Sequence, residues 1–457
     1  MQQQERSRML GTMPMNKLVP KVAVPIMISM LVQALYNVVD GIFVARYSAD
    51  AFTAVSLVFP VQMLMIAVST GLGVGINSLI SRRLGEKRGD AALDAAKHGI
   101  FLELCGVALF CLFGLFLSKV YMHIFTDDAN LQKLGEEYLF IVTVFCLGLF
   151  MSVVFERMLQ ATGNTTLSMA TQLLGAVVNI ILDPIMIFGL LGCPRMGIAG
   201  AAIATVIGQF CGMFLGFILN QTRNHELRLT LRPFFRPHGA VLTDILAVGI
   251  PSVVMQAISS VMNVLMNMIL LGFGNVAVNV LGAYFKLQSF VFMPVFGMNN
   301  GIVPIIAYNY GARKPDRIRA AAKLGFLYGA AIMAVGVLLF WLIPGRLLGI
   351  FNASDYMLEI GIPALRLISL SFLPAAFGIV TSSVCQALGH GVLSLIVSVL
   401  RQLVLILPVS WLLGHFVGLS AVWAAFPFAE VFSFLLSAVF MGYMFKTVVR
   451  PLEQPEP

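Results

Sequence analysis

The stretch Leu18–Ala45 reads LVPKVAVPIMISMLVQALYNVVDGIFVA, and its reading decides the fold. It is mostly apolar and long enough, at about 1.5 Å per helical residue, to cross a bilayer with tilt. Two features separate it from a plain anchor. Pro25 removes a backbone donor and bends a helix. Gln33, Asn37 and Asp40 place polar groups on adjacent turns of one side. A carboxylate deep in a membrane helix costs about 3 kcal/mol on insertion scales, so it faces a cavity or a bundle interior. Asp40 is therefore read as functional ahead of a merely structural polar contact.

The remainder of the chain extends this reading. Apolar residues make up 59% of the 457 and charged residues 11%, with a mean hydropathy of +0.92. A soluble domain has roughly 45–50% and 25%. The composition predicts an all-α polytopic membrane protein with little room for a soluble domain. Twelve spans are expected, at roughly 18–45, 51–81, 97–118, 137–158, 168–190, 197–220, 243–271, 277–308, 322–344, 359–386, 391–414 and 419–446. The first apolar run lacks a following small-residue cleavage site, so the first span is expected to remain in the mature protein.

Of the 29 lysines and arginines, 21 flank one side of these spans, five the other, and three (Lys286, Arg366, Arg401) fall inside. The 21 include Arg82, Arg83, Arg157, Arg232 and Arg236. The bias predicts that both termini are cytoplasmic. The net charge of +8 thus reflects orientation signals in short loops and implies no nucleic-acid partner. Six scattered cysteines show neither metal spacing nor a disulfide framework. The histidines lie at span ends or loops and read as structural or solvated.

The chain repeats itself. Placing Pro251 under Pro25, an offset of 251 − 25 = 226, needs no gap for about 75 residues. Polar, glycine and proline identities recur in that frame: Asn37/Asn263, Gln62/Gln288, Gly71/Gly297, Gly75/Gly301, Gly85/Gly311 and, further on, Gln160/Gln386. The expectation is two parallel six-helix repeats related by a pseudo-twofold axis along the membrane normal, a plan typical of secondary transporters. The first lobe is expected over residues 1–220 and the second over 243–457. The polar segment between them, 221–242, is broken by Pro233 and Pro237 and reads as a cytoplasmic linker.

The exceptions to the repeat carry the chemistry. Asp40 aligns with Met266. Asn179 and Asp183 share one face of the fifth span, and the ungapped offset places Leu405 and Val409 opposite them. Two carboxylates near each other in low dielectric share protons. With Gln33, Asn37, Asn179 and Thr205 they also suit a small oxygen cage for Na+. The alternative reading is that Asn179 and Asp183 cap a helix break at Pro184. Lys286 fits a counter-charge, a gate or a snorkelling side chain, and Arg401 has Glu430 as a possible structural partner. Tyr36, Met262, Met266, Asn263 and Lys286 are candidates to line a substrate cavity. No GxxxxGK[ST] loop and no nucleophile–base or HExxH pattern is present, so neither ATP-driven transport nor an enzyme is indicated.

On these features the chain resembles the multidrug and toxic compound extrusion (MATE) family. The resemblance rests on VPIMISMLVQALYNVVDGIFV, on SRRLGEKRGDAA, on FMPVFGMNNGIVPIIAYNYGARK, and on the paired QATGNTT and QALGHG. It covers essentially the whole length. Gln33, Asp40, Asn179 and Asp183 resemble the first-lobe cation site of the DinF-like branch, with Thr205 a weaker match. Pro25 matches the family's helix-bending proline. The seventh span has Asn263 and Asn267 and the tenth no mid-span acid, against the branch that uses second-lobe acids. The resemblance implies an antiporter that exchanges H+ or Na+ for amphipathic, often cationic, organic compounds, without a cofactor. It also implies the bacterial cytoplasmic membrane, and a monomer is expected because one chain can contain the whole pathway. Alternatives are a lipid-linked sugar flippase of the same superfamily and a non-transporting membrane receptor.

Overall fold

The computed structural model describes residues 6–229, 237–351 and 353–454. Pro233, Arg232 and Arg236 of the expected linker lie outside these. A short helix α1 (Arg6–Thr12) precedes α2 (Met15–Tyr47), α3 (Ala49–Gly85), α4 (Gly89–Phe125), α5 (Ala129–Val144), α6 (Leu147–Ala161), α7 (Thr165–Phe188) and α8 (Ile198–Arg223). Then come α9 (Gly239–Leu271), α10 (Asn275–Gly311), α11 (Pro315–Leu342), α12 (Pro344–Gly349), α13 (Asp355–Ser369), α14 (Phe372–Ala387), α15 (Gly391–Val399), α16 (Leu407–Phe416), α17 (Leu419–Val422) and α18 (Ala425–Met444). Among the described residues, ten helical stretches are long and apolar enough to cross a membrane by themselves. The pairs α5–α6, bent by 41°, and α13–α14, bent by 46°, complete twelve spans as two six-helix repeats.

Most spans outrun the sequence estimate. The third starts at Gly89 rather than near 97, and the fourth at Ala129 rather than near 137. Polar residues at membrane helix ends remain helical because the backbone hydrogen bonds are still satisfied there. Helix α2 runs unbroken through Pro20 and Pro25, and the Ser29 hydroxyl donates to the Pro25 carbonyl at 3.1 Å. Helix α7 likewise continues past Pro184 and stops at Gly189, whose φ of +75° provides the left-handed cap. Asp183 therefore does not cap a break.

The two halves meet along a seam whose symmetry can be read from glycines. A side chain at Gly71 would strike Val253, and one at Gly297 would strike Met27. Gly75 abuts Gly249, as Gly301 abuts Ala23; Gly85 abuts Tyr308, as Gly311 abuts Arg82. Each contact and its twin differ by the same 226 residues, as a pseudo-twofold axis requires. All lie in the halves of α2, α3, α9 and α10 nearest the face that carries both termini. The Ser78 hydroxyl donates to the Gln386 carbonyl at 2.9 Å there, and Arg82 pairs with Asp244 at 3.0 Å.

On the same face α1 is clasped by the second half. Asn309 and Arg317 donate to the Leu10 carbonyl at 2.9 and 3.0 Å, and Lys314 to the Gly11 carbonyl at 2.8 Å. These donors satisfy the carbonyls that a helix end leaves open. Ser7 donates to Glu226 at 2.7 Å, in the short turn after α8, where burial pushes the Glu226 carboxyl up from its ordinary range.

Candidate functional site

Five helices of the first half converge on Asp40 and Asp183. Asp40 comes from α2 and Asp183 from α7, and their carboxyls face one another within hydrogen-bonding reach. Asp183 is fully buried. Asp40 keeps Oδ1 buried without a protein partner. One turn before Asp183, Asn179 turns its amide nitrogen to Asp183 Oδ2 at 3.2 Å. Its amide oxygen then accepts from the Thr205 hydroxyl at 3.3 Å and from the Thr205 backbone N–H at 3.2 Å, in the orientation that satisfies both sides. Helices α7 and α8 can approach this closely because Gly175 and Gly208 face each other across them. The expected Asp40, Asp183, Asn179 and Thr205 are thus brought together.

Two groups that sequence reasoning missed complete the wall. The Tyr138 phenol of α5 stands close to Asp40, Tyr36 and Asp183, and accepts from Gln62 Nε2 of α3 at 3.1 Å. Tyr138 falls at the first turn of the expected span 137–158, and no local pattern marks it. In the sequence Gln62 is marked only by its repeat partner Gln288. Asn37 is exposed, rotated off the line joining Gln33 and Asp40.

A cavity of about 160 Å³ runs from this site toward the face that carries both termini, lined entirely by the first half. Gln33, Tyr36, Asn179 and Thr205 line the end near the carboxyl pair, and Thr70, Glu156, Arg157 and Gln172 the end toward the termini. Arg157 therefore does not belong to a cytoplasmic flank; it is 6% exposed. The remaining candidates disperse. Met262 and Met266 are buried in the second half's apolar core. Asn263 is half-buried with a lone Oδ1. Lys286 is exposed, 5.7 Å above the Phe351 ring. Arg366 reaches the Trp341 carbonyl, and Arg401 pairs with Glu430 at 2.7 Å, as its span position suggested.

Paired intramembrane carboxyls in one lobe of a two-repeat bundle of spans define the class of a membrane transporter. The MatE family model matches residues 25–185 and 251–412, the two copies of the repeat. The chain belongs to that family. It is 27% identical over 425 residues to the multidrug export protein MepA of Staphylococcus saprophyticus, covering 93% of this chain and 92% of that protein. A crystal structure of MATE in complex with MaL6 superposes with a TM-score of 0.90 at 28% identity, covering 97% of this chain and 100% of the other. An outward-facing conformation of a multidrug resistance MATE transporter gives 0.90 at 27% identity, with coverage of 97% and 99%.

Proposed function

We propose that this protein is a multidrug export antiporter of the bacterial cytoplasmic membrane, driven by H+ or Na+ entering at Asp40 and Asp183. The observation that carries the reading is the facing carboxyl pair, tied through Asn179 to Thr205, in a lobe whose twin has no acid at either position. Two carboxyls so close hold a proton between them or share a small cation. The bias of basic residues, 20 to five once buried Arg157 is set aside, supports a cytoplasmic side for the termini and, with them, the closed seam. The carrier then stands open outward, where the coupling ion enters. Ion binding straightens or bends α2 at Pro25, displaces an amphipathic, often cationic, organic substrate outward, and lets the lobes rock. Coupling requires that ion and substrate favour different states.

The lobes span 1–220 and 243–457, joined by the cytoplasmic linker 221–242, and one chain contains the whole pathway, so a monomer suffices. The flippase reading needs a basic cluster for phosphate, and the dispersal of Lys286, Arg366 and Arg401 disfavours it. The test is ethidium extrusion from pump-deficient cells, wild type beside Asp40→Asn, with the proton gradient collapsed and with Na+ present or absent. Wild type extrudes, the variant does not at equal expression, and the gradient requirement names the ion. Normal pumping by Asp40→Asn defeats the proposal.

A further inference from the structure

The inner end of the first-lobe cavity holds charged groups that the function above leaves unused. Gln172 Nε2 donates to Glu156 Oε2 at 2.6 Å, and the Thr171 hydroxyl lies 3.5 Å from Oε1. Arg157 donates to Gln160 Oε1 at 2.9 Å, while its Nε is buried without a partner. Glu103 of α4 sits beside Ser69 within reach of the Arg157 charge. It is fully buried, and neither carboxyl oxygen has a hydrogen-bond partner. The groups facing Glu156 are Arg157 on its own helix, Thr171 and Gln172 on α7, Gln209 on α8 and Thr70 on α3, with Glu103 of α4 acting on it only through Arg157. Tyr36 of α2 closes the far end.

Position and charge give these groups a role. Thr171 and Asp183 are separated by twelve residues of α7, about 18 Å along its axis. The Glu156 cluster therefore lies toward the terminus-bearing face and the Asp40/Asp183 pair toward the other. Asn179, the cavity and Gln172 fill the distance between them. Glu103 and Glu156 share the guanidinium of Arg157, two carboxyls to one cation, while Asp40 and Asp183 at the other end have only each other. A carboxyl without a counter-charge in low dielectric is costly until a cation joins it.

We propose that Glu156, supported by Arg157 and Glu103, is a second cation station that receives the coupling ion from Asp40/Asp183 and passes it toward the cytoplasm. The proposal rests on the antiport reading and supplies the inner half of the ion's route. Its ligand is a proton or a small monovalent cation, held by carboxylate and amide oxygens. The fixed charge of Arg157 opposes long retention, so the station releases the ion inward rather than trapping it.

The test uses the full-length protein in liposomes with ethidium as probe. Wild type, Asp40→Asn, Glu156→Gln and Glu103→Gln are compared in ion-gradient-driven uptake and in gradient-free ethidium–ethidium exchange. Glu156→Gln keeps an oxygen for Gln172 to bond and removes the titratable group. It is expected to lose about tenfold or more of the driven transport and to keep exchange within about twofold of wild type, with Glu103→Gln a weaker copy. Equal loss of both modes marks a structural residue and overturns the proposal, as does unchanged driven transport. Infrared difference spectra on a pH or Na+ step need neither ethidium nor a gradient. There Glu156→Gln removes a carboxyl band that Asp40→Asn leaves in place; survival of every band overturns the proposal, and Glu156→Asp, which shifts the band, serves if the glutamine variant does not fold. Normal driven transport by Asp40→Asn defeats the antiport reading itself, whatever Glu156→Gln does.

Discussion

Tyr284 fills the second lobe where the repeat places Val58 in the first, and the same exchange recurs around it. Its ring packs against Phe285, Phe340, Phe372 and Phe426, with centroids 5.3 to 6.5 Å away. Opposite Phe340 and Phe372 the first lobe has Gly114 and Cys146. The first lobe instead encloses its cavity of about 160 Å³ and gathers Asp40, Glu103, Glu156, Arg157 and Asp183. Their counterparts Met266, Gly329, Ser382 and Ser383, and the residues opposite Asp183, carry no charge. The second lobe's own mid-span charges, half-buried Arg401 and buried Glu430, answer each other. Seam positions are shared between the lobes while interiors diverge. One copy of the repeat is suited to admit and release an ion, the other to act as a stiff lever against which the first moves.

This contrast can be broken most sharply at Asp183. Asp183→Asn is expected to cut ion-driven export by about 100-fold, measured as transport in liposomes, with little change in melting temperature. Wild-type transport in that variant places ion coupling outside the first lobe. The second lobe should answer in stability instead. Tyr284→Ala opens a cavity in the aromatic core and is expected to cost about 3–5 kcal/mol, against about 1 kcal/mol for Val58→Ala, by denaturant or thermal unfolding in detergent. Equal costs would mean that the two interiors are equally yielding. The smallest effect concerns the ion pair. Arg401→Leu leaves Glu430 buried alone and is expected to cost about 2–4 kcal/mol, while Arg401→Leu with Glu430→Leu is close to neutral. Transport lost in the double variant, with unfolding unchanged, gives the second-lobe pair a role in coupling.

Much of this design is legible in the sequence because membrane interiors make polar groups expensive. Asp40, Asn179 and Asp183 stand out against apolar neighbours for that reason, and the seam is written in glycines that recur in one frame. Arg157 is misread because it stands near a predicted span end. Helix α6 continues to Ala161, and packing from other helices seals the arginine in. Tyr138 and Glu103 escape notice because their partners come from other helices and no local pattern announces them. The ungapped pairing of Asp183 with Val409 also fails in detail. The π-helical segment Leu400–Ile406 inserts a residue into the turn, which brings Ser410, buried and without a hydrogen-bond partner, opposite Asp183. Neither residue is acidic, so the asymmetry stands.

The paired glycine contacts have a consequence for ancestry. A surface on which Gly71 meets the twin of Met27, and Gly297 meets Met27 itself, is isologous: one patch grips its own copy, as in a twofold homodimer. A six-helix chain bearing only this patch already possesses the interface of the complete carrier. Fusing two such chains through a short polar connection locks the stoichiometry at one to one and removes the need to keep the partners identical. Gene duplication thus preserved the handshake and released each hand to specialise.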